Sequence, residues 1–220
     1  MDACCETKAE ELGALRTQHK NVLVIVLVIN AVLFVVEAAA GLLANSTALL
    51  ADSLDMLGDS LVYGFSLYAL WRTAEWKVKA ALLKGVIMAV FGVAVLLEVM
   101  YKTISGIVPS AEVMGITGVL VLLGNGICFL LLFRYRSDDL NMRSTWLCSR
   151  NDIIANISVL LAAGSVSVFN ASWPDIVIGA AIAALFLRSA FTVLRESVLE
   201  LRILNSQSTN ANRNRSTARS

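Results

Sequence analysis

"ALLADSLDMLGDSLVYG", residues 48–64, places Asp52, Asp55 and Asp59 within eight residues of a segment otherwise apolar enough to lie in a bilayer. An Asp at the centre of a membrane helix costs about 2.5–3.5 kcal/mol on insertion scales. Three together therefore need water, polar partners or a cation to offset them. At 100° per residue the three positions fall within about 60° of one another, so a helix here carries all three carboxylates on one face. Asp55 and Asp59, at i and i+4, stand one turn apart, close enough to share a ligand.

The rest of the chain has the composition of a membrane protein. Of its 220 residues 57% are hydrophobic and 16% charged, with a mean hydropathy of +0.72. A soluble domain would be about half apolar and about a quarter charged. A net charge of +1, with no basic patch interleaved with aromatics, argues against a nucleic-acid partner. Cys4, Cys5, Cys128 and Cys148 are scattered and form no disulfide framework. The N-terminal stretch "MDACCETKAEELGALRTQHK" is polar and carries acids as well as bases, unlike a signal peptide. Its adjacent Cys4 and Cys5 lack ordinary chelating spacing and read as part of a tail.

Six stretches meet the requirement of about 20 apolar residues for a spanning helix: 21–44, 47–71, 80–104, 113–134, 144–168 and 174–194. Connections between them are short. The last stretch, "NSQSTNANRNRSTARS" at 205–220, is polar and without hydrophobic periodicity, and is expected to be disordered. The expected organisation is an N-terminal segment 1–20, a six-helix membrane domain 21–204 and a C-terminal tail 205–220. Lys8, Arg16 and Lys20 precede the first span; Arg72, Lys77, Lys79 and Lys84 surround the second connection. Arg134, Arg136 and Arg143 surround the fourth, and Arg195 and Arg202 follow the last span. The first and fifth connections carry no Lys or Arg, and only Lys102 flanks the third. By the positive-inside rule both termini are cytoplasmic. The fold class is an all-α, multi-pass integral membrane protein with six transmembrane helices.

A second polar stripe lies in "STWLCSRNDIIANISVLLAAG", residues 144–164, where Cys148 and Asp152 are again i and i+4 and Asn156 continues the line. Asn30 and Glu37 interrupt the first apolar run, and Asn125 sits between Gly124 and Gly126 in the fourth. Lipid cannot satisfy such groups, so they face the bundle interior. Asp55, Asp59, Cys148 and Asp152 supply four ligand-type side chains, the number a tetrahedral divalent cation takes. A thiolate would favour zinc or cadmium over magnesium or calcium. On spacing alone Cys148 reads equally as a ligand or as a small buried hydrophobe; Cys128 reads as packing. Asp52, Asn30, Glu37, Asn125 and Asn156 read as lining of an access path or as supports of the ligands. Clustered acids resist losing all their protons, so metal binding should release protons and proton uptake should expel metal. That competition is the physical basis of metal/proton exchange.

The motif "STALLADSLDMLGD", residues 46–59, resembles the second helix of the cation diffusion facilitator family, usually written SxALLADAxHMLxD, with Asp55 at the variable His/Asp position. The fifth-helix pattern His-x-x-x-Asp is similar here, with Asp152 on the Asp and Cys148 where His is commonest. "WPDIVIGAAIAALFLRSAFTVLRESV", residues 173–198, resembles that family's sixth helix and its exit. The resemblance spans about residues 22–203. It implies a six-helix bundle, usually dimeric, that exports divalent metal from the cytoplasm in exchange for protons. Zinc is the first expectation, with cadmium, cobalt, iron(II) and manganese(II) as alternatives. It further implies a short form without the family's cytoplasmic C-terminal domain, placed in a bacterial inner (plasma) membrane. No enzymatic activity and no prosthetic group are expected. Small residues Gly85, Ala89 and Gly92 in helix 82–102 suggest a dimer contact.

Two other readings belong to different classes. An integral-membrane enzyme could use carboxylates and a divalent ion as cofactor, as alcohol phosphotransferases do with Asp-x-x-x-Asp. That longer pattern is not matched, since Ser53 follows Asp52 and Ala51 precedes it. A non-transporting metal-binding regulator would share the ligands but show no flux.

Overall fold

The computed structural model describes residues 20–68, 74–133 and 140–217, and among them six α-helices and no strand. These are α1 (Lys20–Ala44), α2 (Thr47–Tyr68), α3 (Ala74–Ser105), α4 (Ala111–Phe133), α5 (Leu140–Phe169) and α6 (Trp173–Thr217). The expected segment 1–20, with Cys4 and Cys5, lies outside the described residues except for Lys20. Five helices contain stretches long and apolar enough to cross a membrane: Val24–Ala44, Ala81–Ser105, Ala111–Phe133, Arg150–Phe169 and Trp173–Ile203. The remaining helix, α2, spans about 33 Å at 1.5 Å per residue, enough for a hydrocarbon core of about 30 Å. Its three aspartates are what set it apart from the other five.

The helix α6 is continuous to Thr217, past the 174–194 span and through the polar residues expected to form a disordered tail. Those residues contain neither Pro nor Gly, so nothing in their backbone chemistry stops a helix already started in the membrane.

The helix α2 lies at the centre, packed against α1, α3, α5 and α6, while α1 packs against α2 and α4 and α4 against α1 and α5. Two apolar clusters hold it from different sides. Ala48 and Leu49 join Ala44, Met114, Val159, Ala162 and Val166 from α1, α4 and α5. Ala51 and Leu54 join Met88 and Val95 of α3 and Ala183, Phe186 and Ala190 of α6. The expectation that Gly85 and Gly92 mark a dimer contact is corrected here. A Cβ on Gly85 would lie 2.9 Å from Leu194, and one on Gly92 2.6 Å from Leu187, so α6 of the same chain fills the stripe.

Three helices end in left-handed backbone, at Asn45 (φ 52°), Gly106 (φ 63°) and Asn170 (φ 45°). Gly and Asn are the residues that enter this region at least cost. Each reverses the chain at the same end of the bundle, and Ser110 N–H donates to the carbonyl of Ala44 at 2.9 Å, tying two of these connections together.

At that end one carboxylate fixes α2. Asp175, in the first turn of α6, is wholly buried. Its Oδ1 accepts from the Ser46 hydroxyl at 2.6 Å and from Ala48 N–H at 3.0 Å. Its Oδ2 accepts from Thr47 N–H at 2.7 Å. An anion at a helix N-terminus satisfies amides with no intrahelical partner and complements the helix dipole. Gly179, one turn along α6, allows the approach: a Cβ there would meet the Thr47 carbonyl carbon at 2.7 Å. Removing Asp175 strands these donors in an apolar interior, so Asp175→Ala should cost about 2–3 kcal/mol of stability. A lowered melting temperature of the purified protein in detergent checks this; an unchanged one would show that the cap is dispensable.

Candidate metal centre

The acidic face of α2 turns inward, as its position at the centre of the bundle requires. Asp52, Asp55 and Asp59 line one narrow crevice together with Met56, Asn30 of α1, Asn125 of α4 and Asp152 of α5. The crevice holds no water-sized void. Asp52 and Asp59 are buried, whereas Asp55 and Asp152 are half-buried.

Of the four expected ligands, Asp55, Asp59 and Asp152 therefore share one crevice, drawn from two helices that pack against each other. Cys148 belongs to α5 one turn before Asp152, but its side chain lies outside the described residues. Among the described residues, no three His, Cys, Asp or Glu side chains gather closely enough to hold a metal. The three aspartates share walls without forming a coordination shell.

The supporting residues form an ordered network. Asn125 Nδ2 donates to Asn156 Oδ1 at 2.8 Å, and Asn156 Nδ2 donates to Asp52 Oδ2 at 2.5 Å. Both asparagines are buried to 1% exposure, so these bonds are made away from water. An amide is the right group for the middle of such a relay because it presents a donor and an acceptor at once. The network links α4, α5 and α2 and orients Asp52. Asn30 Nδ2 donates to the Val26 carbonyl at 2.9 Å and lies 4.0 Å from the sulfur of Cys128. Cys128 is buried, in keeping with a packing role. Glu37 is completely buried, with Asp52 as its strongest electrostatic neighbour. It is not among the side chains that line the crevice.

Two residues were not singled out by sequence reasoning. Met56 brings a thioether to the crevice wall, yet in the sequence it is indistinguishable from a core methionine. Asp175 positions α2, and the signal for it was an acid directly after Trp173-Pro174, at the start of a helix.

The family model for the cation efflux transmembrane domain matches residues 23–202 of the chain. The search of curated proteins finds no match.

The amide relay makes a specific energetic prediction. Asn125→Ala and Asn156→Ala each leave a buried polar group without its partner, at about 1–3 kcal/mol apiece. Because the two share one bond, the double variant should be less destabilised than the sum by at least about 0.5 kcal/mol. Detergent melting of the four proteins of this cycle measures that coupling; strict additivity would show that the bond is not made.

Proposed function

The chain belongs to the cation efflux family, and from that premise we propose that it exports a divalent transition metal, zinc first, in exchange for protons by alternating access. The observation that carries this reading is the convergence of Asp55 and Asp59 of α2 with Asp152 of α5 on one buried crevice. Carboxylates brought together inside a lipid-spanning bundle repel one another, and a cation among them offsets that cost. Cys148, one turn from Asp152, is the fourth donor.

The incoming ion supplies the attraction that draws the α2 and α5 carboxylates into a shell. Proton uptake by those same groups removes the negative charge that holds it. Small relative movements of α2 and α5 then load or release the ion, and rocking of the helices exposes the crevice to one side at a time. The proton gradient drives the cycle without nucleotide hydrolysis. Both termini face the cytoplasm, the site is inside a plasma membrane, and two copies of the chain assemble as a dimer. Zinc and cadmium suit a site with one sulfur; cobalt, iron(II) and manganese(II) follow if the donors are oxygen alone.

The direct test is reconstitution into liposomes that enclose a zinc-sensitive dye, under an imposed proton gradient. Wild type should take up zinc only with the gradient, and Asp59→Ala and Asp152→Ala should fall to the level of protein-free liposomes. Uptake that survives both substitutions would place the site elsewhere. Zinc binding by folded wild type without flux would favour the non-transporting regulator.

A further inference from the structure

Glu37 presents a buried carboxylate that the metal site does not use. It is completely buried in α1, and neither Oε1 nor Oε2 finds a hydrogen-bond donor; its near neighbour is the Asp52 carboxylate, which can bond to it only through a shared proton. An anion in that state is strongly unfavourable unless a positive charge meets it. The helices packed against α1 are α2 and α4. Neither contains a Lys, Arg or His, and in α1 itself the only basic residue is Lys20, at the far end of the helix. The acids and thiols that these helices bring are Asp52, Asp55 and, a turn further along, Asp59 of α2, the first the strongest neighbour, with Glu112 and Cys128 of α4. Glu112 is exposed at the start of α4, and Cys128 lies by Asn30. No protein cation is available to Glu37 from the helices against it.

The counter-charge must then be mobile, and the geometry selects a proton over a metal ion. Glu37 and Asp52 are two carboxylates, and Oδ2 of Asp52 already accepts from Asn156. A divalent ion takes four or more donors, whereas a proton needs one oxygen to bind and a second to accept its hydrogen bond. The position also differs from that of the metal carboxylates. Asp52 lies about 8 Å along α2 from its start, Asp55 about 12 Å and Asp59 about 18 Å. Glu37 is about 10 Å before the end of α1 at Ala44. The pair thus sits between the metal carboxylates and the turn at Asn45–Ser46, whose connection carries no Lys or Arg and faces away from the cytoplasm.

We propose that Glu37, with Asp52 as its hydrogen-bonding partner, is a proton-binding site separate from the metal ligands and loaded from the non-cytoplasmic side. The inference rests on the proton-exchange reading above. A proton from water adds to a Glu37 carboxylate oxygen and leaves again to water, with no other bond formed or broken. A cation arriving at Asp55 places positive charge near Glu37 and favours loss of that proton; departure of the cation favours its return. The two sites are coupled by charge without sharing a ligand.

The variants Glu37→Gln, of nearly the same shape, and Glu37→Asp, which keeps the acid, test this by three readouts. Equilibrium zinc binding to the detergent-solubilised protein should be the same in Glu37→Gln as in wild type. Zinc-dependent proton movement, followed with a pH dye in proteoliposomes, should fall in Glu37→Gln to the share carried by the metal carboxylates and be regained in Glu37→Asp. The zinc-induced infrared difference spectrum of wild type should show loss of a protonated-carboxyl band, with a component missing in Glu37→Gln. Loss of zinc binding in Glu37→Gln, wild-type proton movement in that variant, or an unchanged infrared band would each overturn the proposal. If wild type moves no protons with zinc, it is the exchange reading that fails. The infrared component still decides whether Glu37 holds a proton, and Glu37→Asp decides it by a shifted band should the Gln variant fail to fold.

Discussion

Burial of carboxylates inside a helical bundle is the constraint on which everything else in this protein depends. Asp52, Asp55, Asp59 and Asp152 line one crevice, and Glu37 lies behind it. The helices α1, α2 and α4 bring no Lys, Arg or His except Lys20 at the start of α1, whereas α3 brings the buried Lys84 and α5 the exposed Arg150. A soluble protein would answer such a cluster with water or arginine. Here Asp52 is answered by an amide from a neighbouring helix. Asn156 donates to Asp52, and Asn125 donates in turn to Asn156.

Holding such a face at the centre of the bundle requires a frame that fixes α2 without neutralising it. The apolar clusters on either side of α2 do so by packing. The Asp175 cap does so by charge-assisted hydrogen bonds to its first amides, at the end of the helix away from Asp59. Close helix contacts complete the frame: glycines at 85 and 92 admit α6 side chains, and Gly179 admits the backbone of α2 itself. The three connections at the Asn45, Gly106 and Asn170 turns lie at the end of the bundle that the Asp175 cap also holds.

Much of this was legible in the sequence because its signals are local. The helices follow from apolar runs, and the common face of Asp52, Asp55 and Asp59 follows from the 100° step. The alignment of Asp152 with Asn156 follows in the same way. What was not legible depends on the register between helices. Nothing local tells Gly85 and Gly92 that Leu194 and Leu187 of the same chain will fill their stripe. Asp175 looks like an ordinary acid in the first turn of its own helix, yet it caps another helix entirely. Met56 faces the crevice only because α2 is rotated to present Asp55 and Asp59 there. The helix that runs to Thr217 shows the opposite limit, since polar composition argues for disorder while the absence of Gly and Pro leaves the helix nothing to end it.

The central claim is that α2 and α5 together hold the transported ion. X-ray absorption at the zinc edge, on the zinc-loaded protein in detergent, examines that shell directly. The account predicts a low-coordinate site dominated by oxygen donors, with one sulfur if Cys148 takes part, and its loss in Asp55→Asn/Asp152→Asn. A shell dominated by sulfur donors, or zinc retained unchanged in the double variant, would contradict it.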